Sequence, residues 1–271
     1  MRSDIVDTPA SASSFVGVRE LLVLWQHPEA REIVPVGRLV NDQGRYRFDY
    51  TQAALRVNDF RPLPGLGTLD ESYVSATLPA IFRQRVMSSD RPDFSDYMLT
   101  LGLEPQTATP WEQIVQSGGD RAGDTLQFMA IPQVVDGRAQ ARFLTNGIRH
   151  IPNGTSRTVA GRSIVVTPQD HEAALQSLVP GDRLDLLPEE LNREDPQATV
   201  VCRYGIPVGY VPRFLAPSIR RLAEAGPVGA KVVRVNGPNS PAHLRLVLEL
   251  DSQVPPGFEF DSEGLWETVS S

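Results

Sequence analysis

The sequence predicts an α+β protein in two parts: a small mixed α/β subdomain, then a small barrel or sandwich of short strands interrupted by two helices. Three observations predict this. Up to about Pro132, strand-like and helix-like segments are mixed. From about Arg138 the chain changes to short apolar runs separated by Gly, Pro and Asn, which suits a barrel or sandwich better than a doubly wound sheet. Finally, 271 residues at 41% hydrophobic content suffice for one large or two ordinary domains. The expected boundaries are a disordered Ser/Ala-rich start (1–17), a first domain (18–135), a second domain (138–251) and an acidic tail (252–271).

In the first part, "GVRELLVLWQH" is an apolar run that reads as a strand. Two β-rich segments follow, "VPVGRLVND" and "QGRYRFDYT", joined by a turn at Asn41-Asp42-Gln43-Gly44. In the second of these, Tyr46, Phe48 and Tyr50 alternate with Arg45, Arg47 and Asp49, the period-2 mark of a strand with one wet face. "TQAALRV" is long enough for about one helical turn. "RPLPGLGTLD", with two prolines and two glycines, is a loop. "SYVSATLPAIFRQRVMS" and "DFSDYMLTLGL" read as helices, the latter capped by Asp93 or Ser95. "TPWEQIVQSGG" is a third: Thr109 caps, Pro110 takes the first helical position, Glu112 completes a capping box, and Gly118-Gly119 stop it. "DTLQFMAIP" closes the part as a strand.

In the second part, the expected strands are "ARFLTNGIRHI", "RSIVVTP", "DRLDLLPEE", "ATVVCRYG", "VGYVPR", "AKVVRVNG" and "HLRLVLELD". The helices are "DHEAALQSLV" and "PSIRRLAEAG".

Composition narrows the function. The net charge is −7, which speaks weakly against general nucleic-acid binding. Its distribution is uneven: residues 138–251 hold 14 Lys+Arg against 11 Asp+Glu, leaving 12 basic and 22 acidic residues elsewhere. Cys202 is the only cysteine, which excludes an internal disulfide and fits a reducing cytoplasm. No apolar run reaches the roughly 18 residues of a membrane span, so no membrane partner is expected. The four histidines lack ligand spacing, "GTSR" and "SGGDRAGD" lack the phosphate-loop pattern, and no nucleophile elbow occurs. Glu189-Glu190 and Glu194-Asp195 read as solvated acidic turns in preference to a metal site. No cofactor, metal or catalytic residue is therefore expected.

From "RFLTNGIRH" through "LVPGDRLDLLPEELNREDPQATVV" to "GIPVGYVPRFLA", motifs follow one another in the order of a HIRAN domain, which residues 140–250 resemble. The resemblance implies an OB-like β-barrel and attachment to DNA-processing systems, with single-stranded DNA held by one end. Carried over, it assigns Arg149 and His150 to the Arg-aromatic pair beside the nucleotide, Asp195 to the acid at the terminal hydroxyl, and Asn192 to the start of that motif. Tyr210 belongs to the Gly-Tyr strand and Arg213 to the basic position after it. Two expected aromatics are replaced, one by Ile151 and one by Glu194. From the residues alone, other roles stay open: Asp195 as an Asx cap, Gly209 and Tyr210 as barrel-building residues, Arg149-His150 as a surface pair.

"PVGRLVNDQGRYRFDY", "RPLPGLGTL", "ATLPAIFRQRV" and "SGGDRAGDTLQFMAIP" likewise resemble the N-terminal subdomain of HipA-family proteins, over residues 18–132. The kinase core of that family does not follow. The expectation is a non-catalytic module that binds single-stranded DNA or DNA ends, with the first part as a protein-interaction region. The alternative is an adaptor or antitoxin-like partner of a separate HipA-type kinase.

Overall fold

The structure, a computed structural model, describes residues 17–121 and 123–270. The expected disordered start falls almost wholly outside them. Among the described residues the protein is mixed α+β, with six α-helices and mostly antiparallel sheets.

The first sheet begins as a meander of β1 (Glu20–Gln26), β2 (Ile33–Asp42) and β3 (Arg45–Tyr50). Helix α1 (Gln52–Arg56) and the short β4 (Tyr73–Ser75) follow, then α2 (Ala80–Arg83), α3 (Phe94–Leu101), α4 (Pro110–Ser117) and β5 (Leu126–Ala130). Strand order is β4-β3-β2-β1-β5. The unbroken apolar run of β1 has a physical reason: Leu21 and Val23 enter one hydrophobic cluster, Leu22 and Leu24 the other. A strand buried on both faces has no polar alternation to show.

The second part contains β6 (Gln133–Val135), β7 (Arg138–Leu144), β8 (Arg157–Val159), β9 (Arg162–Ile164) and α5 (Pro168–Gln176). It continues with β10 (Arg183–Glu190), β11 (Thr199–Arg203), β12 (Ile206–Tyr210), α6 (Ala216–Ala225), β13 (Gly229–Val235) and β14 (Leu246–Gln253). The main path runs β12-β11-β10-β13-β14-β7-β6, with β8 and β9 extending from the far end of β10. This ladder is open among the described residues. Across the gap between β12 and the chain after β7 stands a single bridge, Asn146↔Tyr210, with both N–H···O bonds at 2.8 Å.

Several sequence expectations are corrected. "SYVSATLPAIFRQRVMS" is not one helix: Tyr73–Ser75 pair with β3, and only Ala80–Arg83 coil after Pro79. Pro79 disfavours helix in the residue before it, and the β-branched Val74 suits an edge strand. "ARFLTNGIRHI" is a strand only to Leu144. Gly147 then takes φ 62° and starts a 3-10 turn, Ile148–His150. Asp93 precedes α3, but its carboxylate accepts from Arg91 (2.9 and 2.8 Å) instead of capping the helix. The capping box at Thr109 and Glu112 forms as expected, and Gly118 ends α4 in the left-handed conformation. The acidic segment after β14 docks: Phe258, Phe260 and Trp266 pack on the second cluster, Leu265 and Val269 on the first.

Candidate nucleic-acid interface

Two turns of the second part define the site. The first follows β7. A Cβ on Gly147 would stand 2.8 Å from Tyr210 Cδ2, so both its left-handed backbone and the ring beside it require glycine. The 3-10 turn exposes Arg149 and His150, whereas Ile151 is fully buried. The position where an aromatic was expected thus belongs to the core.

Arg157 holds this turn from beneath. Its Nη1 donates to Ile151 O (2.8 Å) and Thr155 O (3.1 Å), and its Nη2 to His150 O (2.6 Å) and Asn153 Oδ1 (3.2 Å). Its Nε donates to Tyr210 Oη (2.9 Å) and lies 3.6 Å from Glu189 Oε1. Tyr210 Oη donates in turn to Glu189 Oε2 (2.9 Å), which also accepts from Asn192 Nδ2. All five guanidinium N–H groups are engaged, as a buried arginine requires. Burial pushes the Tyr210 phenol up, opposed by the hydrogen bond from Arg157.

The second turn follows β10. Asn192 Oδ1 accepts from the backbone N–H groups of Glu194 and Asp195, both at 2.9 Å, and Asp195 Oδ1 accepts from Gln197 N at 2.9 Å. These are two consecutive Asx interactions, the structural role open to Asp195. Asp195 Oδ2 accepts from Arg213 Nε (3.1 Å). Arg213 also donates through Nη1 to Arg31 O and through Nη2 to Glu194 O, both 3.2 Å, leaving two of its five N–H donors uncommitted.

The fold brings His150, Asn192, Asp195, Tyr210 and Arg213 to one cleft of about 1090 Å³. Arg149 does not line it; its charge acts instead on His243. Sequence reasoning missed four contributors, Arg157, Arg193, Arg31 and Leu191, and misjudged a fifth: Glu189, expected in a solvated acidic turn, is buried at the end of β10. Arg157 and Glu189 are a buried pair linking β8 to the end of β10, a juxtaposition no local pattern announces. Arg193 and Arg31 are exposed and, among the described residues, unpaired; Arg193 adjoins the carried-over motif and could have been read from it, whereas Arg31 comes from the first part. Leu191, at the rim, is 87% exposed.

No protein-family model, characterised protein or solved structure matches this chain. Among the described residues no group of three His, Cys, Asp or Glu side chains is arranged to hold a metal ion, and no helix is long and apolar enough to cross a membrane.

Proposed function

We propose that this chain is a non-catalytic nucleic-acid-binding protein of the cytoplasm, whose second part is a HIRAN-like, OB-like barrel that grips single-stranded DNA in the cleft between its two turns. The observation that carries this reading is the convergence of three separate segments, around Gly147, Asn192 and Tyr210, on one cleft edged by Arg31, Arg193 and Arg213. Exposed guanidinium groups suit phosphates, and the side-chain amide of Asn146, which has no protein partner among the described residues, adds a donor and an acceptor for sugar or base. The Asn146↔Tyr210 bridge supports the barrel reading, since it brings β12, at one end of the ladder, to the chain that follows β7, one strand short of the other end. Asp195 is the group that would meet a terminal 3′-hydroxyl.

Fluorescence anisotropy with short single strands ending in a 3′-hydroxyl or a 3′-phosphate tests this. Binding that favours the hydroxyl end is expected. Equal binding removes the end-recognition role, and none at low salt removes the function.

A second role belongs to the HipA-like first part as a protein-interaction region. Its edge strand β4 pairs only with β3 among the described residues and carries an exposed Val74, a place where a partner strand can add. Co-purification with a HipA-type kinase is the corresponding test. A Val74→Lys variant that still co-purifies fully would place the contact elsewhere.

A further inference from the structure

We infer that the cleft is a composite site, completed by the first part of the chain, with Arg31 as its decisive phosphate contact; the inference rests on the nucleic-acid reading above. Charge inside the cleft leads to it. The second part lines the cleft with Arg157, Arg193 and Arg213 against Glu189, Glu194 and Asp195. Arg157 is spent on Glu189 and Arg213 is paired with Asp195, so Arg193 and Glu194 remain and this wall is neutral. A neutral wall releases few counterions from a polyanion, and counterion release dominates non-specific affinity for nucleic acid. Arg31 supplies the surplus positive charge. Its acidic neighbours Glu29 and Glu32 do not line this cleft.

The hairpin between β1 and β2 is built to hold Arg31 there. Arg31 has φ 58°, a left-handed backbone that a branched or long side chain adopts at a cost. Surrounding bonds hold it in place. Arg31 N donates to His27 O (2.9 Å), while His27 Nδ1 accepts from the amides of Glu29 (3.2 Å) and Ala30 (3.1 Å). Arg31 O accepts from Gln26 Nε2 in its own part and from Arg213 Nη1 in the other, each at 3.2 Å. The two arginines presented to a bound strand are therefore tied to each other, one through its backbone and one through its side chain. A strand in this cleft touches both parts of the protein and reports on how they are joined.

The test uses the full chain, a fluorescein-labelled oligothymidylate and anisotropy titrations over a range of salt concentrations. Arg31→Ala should weaken binding about fivefold at 0.1 M salt and lower the salt slope by about 0.7, the contribution of one single-strand phosphate contact. Arg31→Gly, which takes the left-handed backbone without strain, should do the same, and Arg31→Lys should keep the slope. Wild-type affinity and slope in both the Ala and Gly variants, with Arg213→Ala still impaired, would confine the site to the second part and overturn the inference alone. No binding by the wild-type chain removes the nucleic-acid reading and this inference with it.

Discussion

Replacing Arg157 by Met is the sharpest perturbation of the site's foundation. The arginine and Glu189 are almost fully enclosed, with side chains 5% and 7% exposed. Met keeps much of the apolar stem but leaves Glu189 as a buried charge with only Tyr210 and Asn192 to answer it. Breaking a buried pair in this way costs about 3–5 kcal/mol. The carbonyls of His150, Ile151 and Thr155 lose a donor as well, so the upper part of that range is expected. Urea unfolding followed by tryptophan fluorescence measures the loss. The double variant Arg157→Met/Glu189→Met removes the stranded charge and should recover most of it, because apolar replacement of a whole buried pair is often neutral. A single-variant loss below about 1 kcal/mol, the worth of an ordinary hydrogen bond, would refute the account of Arg157 as the turn's anchor. A double variant no more stable than the single would refute the stranded-charge argument.

Gly147→Ala should cost about 1–3 kcal/mol, from the left-handed backbone and the overlap with Tyr210, and lower the melting temperature by several degrees. Unchanged melting would mean that the ring yields freely. Burial pushes the Cys202 thiol up to about 12, so a thiol reagent should label it only as the chain unfolds in urea; rapid labelling of the native protein contradicts its placement. The Glu172 carboxyl is held below its usual range mainly by the hydrogen bond from Arg245, and that of Asp251 mainly by the one from Arg138. As pH falls, the unfolded chain takes up these protons first, so the stability the two carboxylates contribute above the ordinary carboxylate range is lost through their lower folded values. Urea midpoints should decline on acidification, less steeply for Glu172→Gln, and midpoints that rise would reverse the sign of the argument.

The elements that were legible in the sequence are those whose cause is local. Thr109, Pro110, Glu112 and Gly118 specify α4 from within ten positions, and the alternation from Arg45 to Tyr50 gives β3 its inward face. The alternation has one exception. Asp49, on the side expected to be wet, is buried between Arg47 and Ser270, a residue far along the chain. Where causes are distant, the pattern misleads or is silent. Within residues 72–88 Pro79 is a local mark against one long helix, but only pairing with β3 makes Tyr73–Ser75 a strand. The motif from Asn192 to Arg213 was visible because its members cluster in two short stretches. Arg157 stood in the Gly-rich "GTSR", outside every expected strand, and its six partners are named only once the fold has gathered them.

The docked segment after β14 has a consequence for how the molecule is made. Leu265 and Val269 pack into the cluster formed by β1 to β3, and Ser270 Oγ donates to Asp49 across 221 positions of chain. A ribosome delivers β1 to β3 early, but these partners only after the whole second part, so the first cluster waits through that stretch of synthesis with part of its surface uncovered. Pairings of such long sequence separation form slowly, and an exposed apolar face held for that time invites association with chaperones or other chains. A nascent chain stalled before residue 257 should therefore be more open to protease than its length alone suggests, and its extension past residue 270 should close the first part rather than merely append to the second.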